Sequence, residues 1–182
     1  REVVAHLSAV ANAVDIPVVV YNYPAYSNVN ISSETLAALV REHRNVAGVK
    51  DSIDSLEHLR RRVQVMKEIN SDFAVLSGFD SFLLPTLELG GDGTIPVTAN
   101  IAPERHVAIY DAFHRGDHAL IGELLPSMLL LSDIYRVPGS FHSVVKEAMA
   151  LAGVAPHSIA RQPALPLTAE SRARLREIMQ HA

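Results

Sequence analysis

The chain has 182 residues, 48% hydrophobic side chains, a formal net charge of -4 and no cysteine. That is ample apolar material for a sizeable core. The acidic balance offers nucleic acid no basic footprint, and the missing thiols exclude a disulfide framework, a thiolate metal site and a cysteine nucleophile. Apolar runs fall far short of the roughly 20 residues of a membrane helix, so no membrane segment is expected.

Arg1 leads directly into Val3, Val4, Leu7, Val10 and Val14, read as a helix over residues 2–14 whose beginning lies elsewhere. The expectation is a piece of a longer chain, with any upstream targeting signal outside it. Ile16 to Tyr21 is a β-branched run closed by Pro24, as a buried strand would be. Ser32-Ser33-Glu34 opens a helix carrying Leu36, Leu39 and Val40. Val46 to Lys50 is a second strand, followed by Asp54 or Ser55 as cap and a helix with Leu56, Leu59, Val63 and Met66 inward. Arg60, Arg61 and Arg62 read as its solvated face. Phe73 to Leu76 is a third strand, with a helix through Phe82 to Leu87, and Gly93 to Val97 a fourth. Gly90-Gly91-Asp92-Gly93 fits neither nucleotide-loop spacing and reads as a helix-to-strand turn.

After Ala102-Pro103-Glu104 the strands stop, and residues 104–115, 117–135, 140–152 and 169–181 read as helices. Strict alternation predicts an α/β fold with parallel strands and covering helices over residues 1–115, then a helical domain over 116–182. Four such units suit a small open sheet or half of an eight-stranded barrel, and both place chemistry at the carboxyl ends of the strands.

Lys50 ends a strand of small apolar residues. It reads either as a lysine snorkelling to solvent or as a desolvated amine able to attack a ketone. Tyr21 reads as a packed aromatic or as a proton relay beside that amine. Tyr23 and Tyr26 read as packing or pocket-wall residues. Gly78 and Asp80 suit a turn, or a close backbone approach with a carboxylate for hydroxyl groups. His106, His114 and His118 lack a carboxylate ligand pattern, so no metal site is expected. There is no Gly-x-Ser-x-Gly elbow to support a serine hydrolase.

Four segments stand in one order: Tyr21-Asn22-Tyr23-Pro24, Gly48-Val49-Lys50-Asp51-Ser52, Ser77-Gly78-Phe79-Asp80 and Gly90 to Ile95. Together they resemble the dihydrodipicolinate synthase/N-acetylneuraminate lyase family of pyruvate-dependent class I aldolases. The resemblance implies the second half of a (β/α)8 TIM barrel followed by a helical C-terminal domain. It implies Lys50 as the Schiff-base residue for pyruvate or another 2-keto acid, Tyr21 as proton shuttle and Ile95 beside the pyruvate. Ser52, Gly78, Asp80 and Ser81 match positions that face the hydroxylated part of the substrate. Tyr26 stands where true dihydrodipicolinate synthases carry an arginine for a carboxylate-bearing aldehyde, which points to 2-keto-3-deoxy sugar acids.

The implied enzyme makes or cleaves a C–C bond between pyruvate and an aldehyde, with no cofactor beyond the covalent imine. The alternatives are 4-hydroxy-tetrahydrodipicolinate synthase and a non-catalytic keto-acid-binding member. A cytoplasmic homo-oligomer, a tetramer by family habit, is implied as well. The family's first four strand-helix units are missing, and with them the segment that holds the pyruvate carboxylate. The chain by itself is therefore expected to be inactive and prone to associate through exposed strand edges.

Overall fold

The computed structural model describes residues 2–182, which divide into two compact units, residues 2–96 and 97–182. The first unit alternates strands and helices: α1 (Glu2–Asn12), β1 (Val18–Asn22), the single turn α2 (Pro24–Ser27), α3 (Ser33–Glu42), β2 (Val46–Asp51), α4 (Leu56–Ile69), β3 (Ala74–Ser77), a 3-10 turn (Asp80–Phe82), α5 (Leu83–Glu88) and β4 (Gly93–Thr94). The strands are all parallel and lie in the order β1-β2-β3-β4. That sequential order is what a barrel uses; a doubly wound sheet reverses direction partway.

Capping explains where the helices begin. Ser32 Oγ accepts from the Thr35 amide at α3, and Ser55 Oγ accepts from the His58 amide at α4, which decides the choice between Asp54 and Ser55. The fourth strand is shorter than the expected Gly93 to Val97. Pro96 has no N–H to continue the ladder, so pairing ends after Ile95 donates to the Ser77 carbonyl at 2.8 Å, and Val97–Asn100 winds into a 3-10 turn. Gly90, at φ 87°, supplies the left-handed residue of the turn into β4. The Asp92 carboxylate of that turn accepts from the Val75 amide and pairs with Lys67.

Alternation along the strands gives the sheet two distinct faces. Val20, Val49 and Val75 are in register and buried, packing with Leu36, Leu39, Leu59, Val63, Met66 and Phe73 in the core. On the opposite face Val19 and Tyr21 are 48% and 51% exposed. Lys50 and Leu76 are half-buried there, in register with Tyr21.

The second unit contains α6 (Pro103–Arg115), α7 (His118–Leu131), a 3-10 turn (Ser132–Arg136), α8 (Phe141–Leu151) and α9 (Ala169–His181). The end of the strand-helix pattern suggested a division at 115/116. By compactness α6 goes with the helical unit, because it packs on α7 and on the Val97–Asn100 turn. Gly116, at φ 70°, closes α6, and the Asp117 carboxylate caps α7. Ile101, Leu131, Ile134, Val144, Leu175 and Ile178 lead a separate core. His106 is buried, its ring nitrogens 3.0 Å from the Ala102 carbonyl and 3.2 Å from the Thr98 hydroxyl.

Candidate active site

Lys50 and Tyr21 meet on the exposed face of the sheet. Their strands are paired so that the two residues are direct neighbours, and Lys50 Nζ lies 4.5 Å from the centre of the Tyr21 ring. A cation over a phenol face is an attractive contact that partly offsets lost hydration. The Tyr21 hydroxyl lies 3.5 Å from Ser52 Oγ, at the outer limit of a hydrogen bond. An amine, a phenol and a serine hydroxyl therefore gather where β1 and β2 end.

Gly78 completes this corner from β3. A Cβ there would lie 2.0 Å from Ser52 Oγ and 3.0 Å from Ser52 Cβ, so the close approach of the third strand end requires glycine. The Gly78 amide donates to the Asp51 carbonyl, extending the ladder past Ser77.

The other expected residues divide. Ile95 follows β4 and is 45% exposed. Ser81 is exposed on the turn after β3, whereas Asp80 is 2% exposed and its carboxylate lies inside the unit. Tyr26 is 65% exposed and packs its ring 4.8 Å from that of Tyr23, which in turn stacks at 5.7 Å on Tyr21. The three phenols form a row leading away from Lys50. Burial, with the Tyr26 and Tyr21 phenols behind it, raises the Tyr23 pKa above its ordinary value.

Behind the pair, on the helix-covered face, lies a polar cluster that the pattern of residues had not suggested. Arg62 is fully buried, not part of a solvated helix face as expected; Arg60 and Arg61 are exposed. Arg62 Nε donates to Asp51 Oδ2 at 2.8 Å, and another guanidinium nitrogen donates to the Ile31 carbonyl. His58 Nε2 lies 2.8 Å from the same Asp51 oxygen. Asn22 Nδ2 donates to Asp51 Oδ1 at 2.9 Å and to Asn30 Oδ1 at 3.2 Å, while Asn22 Oδ1 accepts from the Ile31 amide. Burial pushes the Asp51 carboxyl up, but the His58 hydrogen bond and the Arg62 charge outweigh it and hold the group below its ordinary value.

A signal for Arg62 existed: Leu59, Arg62, Val63 and Met66 share one helical stripe, and the other three are core.

A groove of about 1390 Å³ lies in the second unit, lined in part by Lys146, Arg161, Leu165, Glu170 and Arg174. None of the strand-end residues lines it. The strand ends are the candidate site because of the side chains gathered there, and the groove carries no comparable set.

Compared with protein families, residues 1–182 match the dihydrodipicolinate synthetase family. Among curated relatives, an "Uncharacterized DapA-like lyase" of Thermofilum pendens is 39% identical over 173 residues, 95% of this chain and 58% of that protein. The "Probable 2-dehydro-3-deoxy-D-pentonate aldolase YjhH" of Escherichia coli is 36% identical over 90% of this chain and 54% of its own. Among solved structures, YagE of E. coli K12, described as a prophage protein of the dihydrodipicolinic acid synthase family in complex with pyruvate, superposes with a TM-score of 0.92 at 33% identity. That match covers 97% of this chain and 59% of YagE. The chain thus spans little more than half the length of these relatives, and its sheet and helices are a partial TIM barrel with C-terminal helices.

Proposed function

The chain belongs to the dihydrodipicolinate synthetase family, and from that membership we propose that it carries the imine-forming half of a pyruvate-dependent class I lyase or aldolase. The observation that carries the proposal is Lys50 Nζ held 4.5 Å from the Tyr21 ring centre where two parallel strands end. The pyruvate in YagE supports the same reading, since that structure and this chain share their fold closely.

In the proposed reaction the neutral Lys50 amine adds to the C2 ketone of a 2-keto acid, and loss of water from the carbinolamine leaves an imine. The Tyr21 phenol is the group placed to move protons at these steps. In cleavage, the C4 hydroxyl gives up its proton as the C3–C4 bond breaks. The aldehyde departs, and the electron pair passes into the imine to give an enamine. Protonation at C3 and hydrolysis then release pyruvate and free Lys50. The covalent imine is the electron sink, so this chemistry calls for no metal.

Ile95 is assigned to the wall beside the pyruvate unit. Ser52, Gly78, Asp80 and Ser81 are assigned to the hydroxylated end, with the buried Asp80 acting through the turn it begins. Tyr26 offers an exposed aromatic face and no cation, which suits a hydroxylated aldehyde better than a carboxylate-bearing one. A substrate of the 2-keto-3-deoxy sugar acid type follows, in line with the name that YjhH carries. We assign the enzyme to the cytoplasm as a homo-oligomer, with its pyruvate carboxylate held by residues of the other barrel half. The 182-residue chain alone should be inactive.

The test is borohydride reduction in the presence of pyruvate, using the protein with its complete barrel. Mass spectrometry should find one reduced pyruvyl group on the peptide carrying Lys50, and none after Lys50→Ala. An adduct elsewhere, or none, overturns the proposal. Aspartate semialdehyde as acceptor would reveal a dihydrodipicolinate synthase instead.

A further inference from the structure

The residues that follow Tyr21 and Lys50 in their strands are also paired with each other, Asn22 with Asp51, and they point to the opposite, helix-covered face. We propose that Asn22, Asp51, His58 and Arg62 form a buried clamp that holds the Tyr21–Lys50 pair in reacting geometry. They are positioning residues, acting through the ends of β1 and β2 without touching substrate. The inference rests on the reading of Lys50 as the imine-forming lysine with Tyr21 as its proton-transfer partner.

The argument is one of leverage. Neighbouring side chains in a strand project to opposite faces, so a roll of the β2 end that carried Lys50 away from Tyr21 would drag the Asp51 carboxylate off its partners. Those partners come from two other elements: Asn22 from β1, and His58 and Arg62 from the first two turns of α4. A third element, the loop ahead of α3, joins the cluster at one remove: its Ile31 carbonyl receives Arg62 and its Ile31 amide donates to Asn22. The ends of β1 and β2 and the start of α4 are thus tied to one carboxylate, and the loop ahead of α3 is joined to it through Arg62 and Asn22. Charge-assisted hydrogen bonds are short and directional, which is what fixing an orientation needs.

Stability alone is a weak reason for such a cluster. Asp51 is 3% exposed and Arg62 0%, and a buried ion pair is commonly replaceable by apolar side chains of similar volume without loss. Position is what an apolar pair would not supply. A misplacement of about 1 Å caused far from the reacting atoms can slow a reaction on the order of 100-fold.

The test uses the complete-barrel protein and two variants. Asp51→Leu/Arg62→Met removes both charges together, leaving neither buried alone. His58→Gln, at a side chain 21% exposed, leaves the buried pair intact. One readout needs no activity: Lys50 Nζ lies over the Tyr21 ring, so the adjoining Cε protons should be shielded by it in proton NMR, with Tyr21→Leu giving the unshielded position. The other is the rate of the borohydride-trapped pyruvate adduct as a function of pyruvate concentration.

In the double variant we expect a cooperative melt, Lys50 signals moved toward the unshielded position, and trapping slowed about 100-fold at saturating pyruvate with the half-saturating concentration unchanged. In His58→Gln we expect about a 10-fold slowing and a partial shift. A folded double variant with the original Lys50 shift and trapping rate overturns the clamp while leaving the catalytic reading intact. If the double variant does not fold, His58→Gln decides by the same two readouts. If the unmodified protein traps no pyruvate, the catalytic reading falls and takes the clamp's catalytic role with it, and the Lys50 shift then tells only whether the cluster holds the Tyr21–Lys50 pair.

Discussion

Lys50 and Tyr21 are partners across a parallel strand pair, with Lys50 Nζ 4.5 Å from the phenol ring centre. Tyr21→Phe keeps the ring, its stack on Tyr23 and its contact with Lys50, and removes only the hydroxyl. On the proposed reaction, and with the complete barrel, the borohydride-trapped adduct should still form while steady-state cleavage falls about 10²- to 10⁴-fold, the usual contribution of a positioned acid–base group. Turnover within threefold of the unmodified enzyme would take Tyr21 out of the proton transfers.

Gly78 is the tightest point of the corner. Gly78→Ala places a methyl 2.0 Å from Ser52 Oγ, and because Ser52 is buried it has little room to yield. Overpacking of this kind costs about 1–3 kcal/mol, and it would also push Ser52 away from the Tyr21 hydroxyl. Ser52→Ala should recover only part of the loss, since Ser52 Cβ still lies 3.0 Å from the new methyl. Full recovery in chemical-denaturation measurements on the double variant would mean that the hydroxyl was the whole obstruction.

Much of the scaffold was legible because its cues are local. Apolar runs before Pro24 and before Asp54-Ser55 marked β1 and β2, and Ser32 marked the start of α3. The fourth strand was overdrawn because Val97 continues an apolar pattern that Pro96 has already ended. Placing Lys50 and Tyr21 at neighbouring strand ends needed only strand order; their mutual contact depends on register, which a short apolar run does not specify. The buried cluster was missed for a different reason. Three consecutive arginines read as a charged surface, yet a helix turns about 100° per residue, so Arg62 points inward while Arg60 and Arg61 do not.

The three arginines should therefore behave very differently. Arg62→Ala leaves the Asp51 charge buried without its cationic partner, a loss of about 3–5 kcal/mol for a broken buried pair. Arg60 pairs with Glu57 and Arg61 with Glu34 in solvent, where screening leaves ion pairs little weight. Alanine at either should leave the melting temperature within experimental scatter. Equal melting temperatures for all three variants would contradict the burial of Arg62.

The same carboxylate should set part of the acid limb of stability. Asp51 has a folded pKa below its ordinary value of 3.8, where burial is outweighed by His58 and Arg62. A depressed carboxyl binds fewer protons in the folded than in the unfolded state. Its contribution is fully present above about pH 4 and is lost as pH falls through the lower folded value. Asp51→Asn cannot titrate, so it should be less stable than the unmodified protein at neutral pH, and the gap should narrow as pH falls below 4. Urea unfolding followed from about pH 7 to pH 2 reads this directly. A gap that stayed constant down the acid limb would mean that Asp51 has the same pKa folded and unfolded, so that Arg62 and His58 do not outweigh its burial.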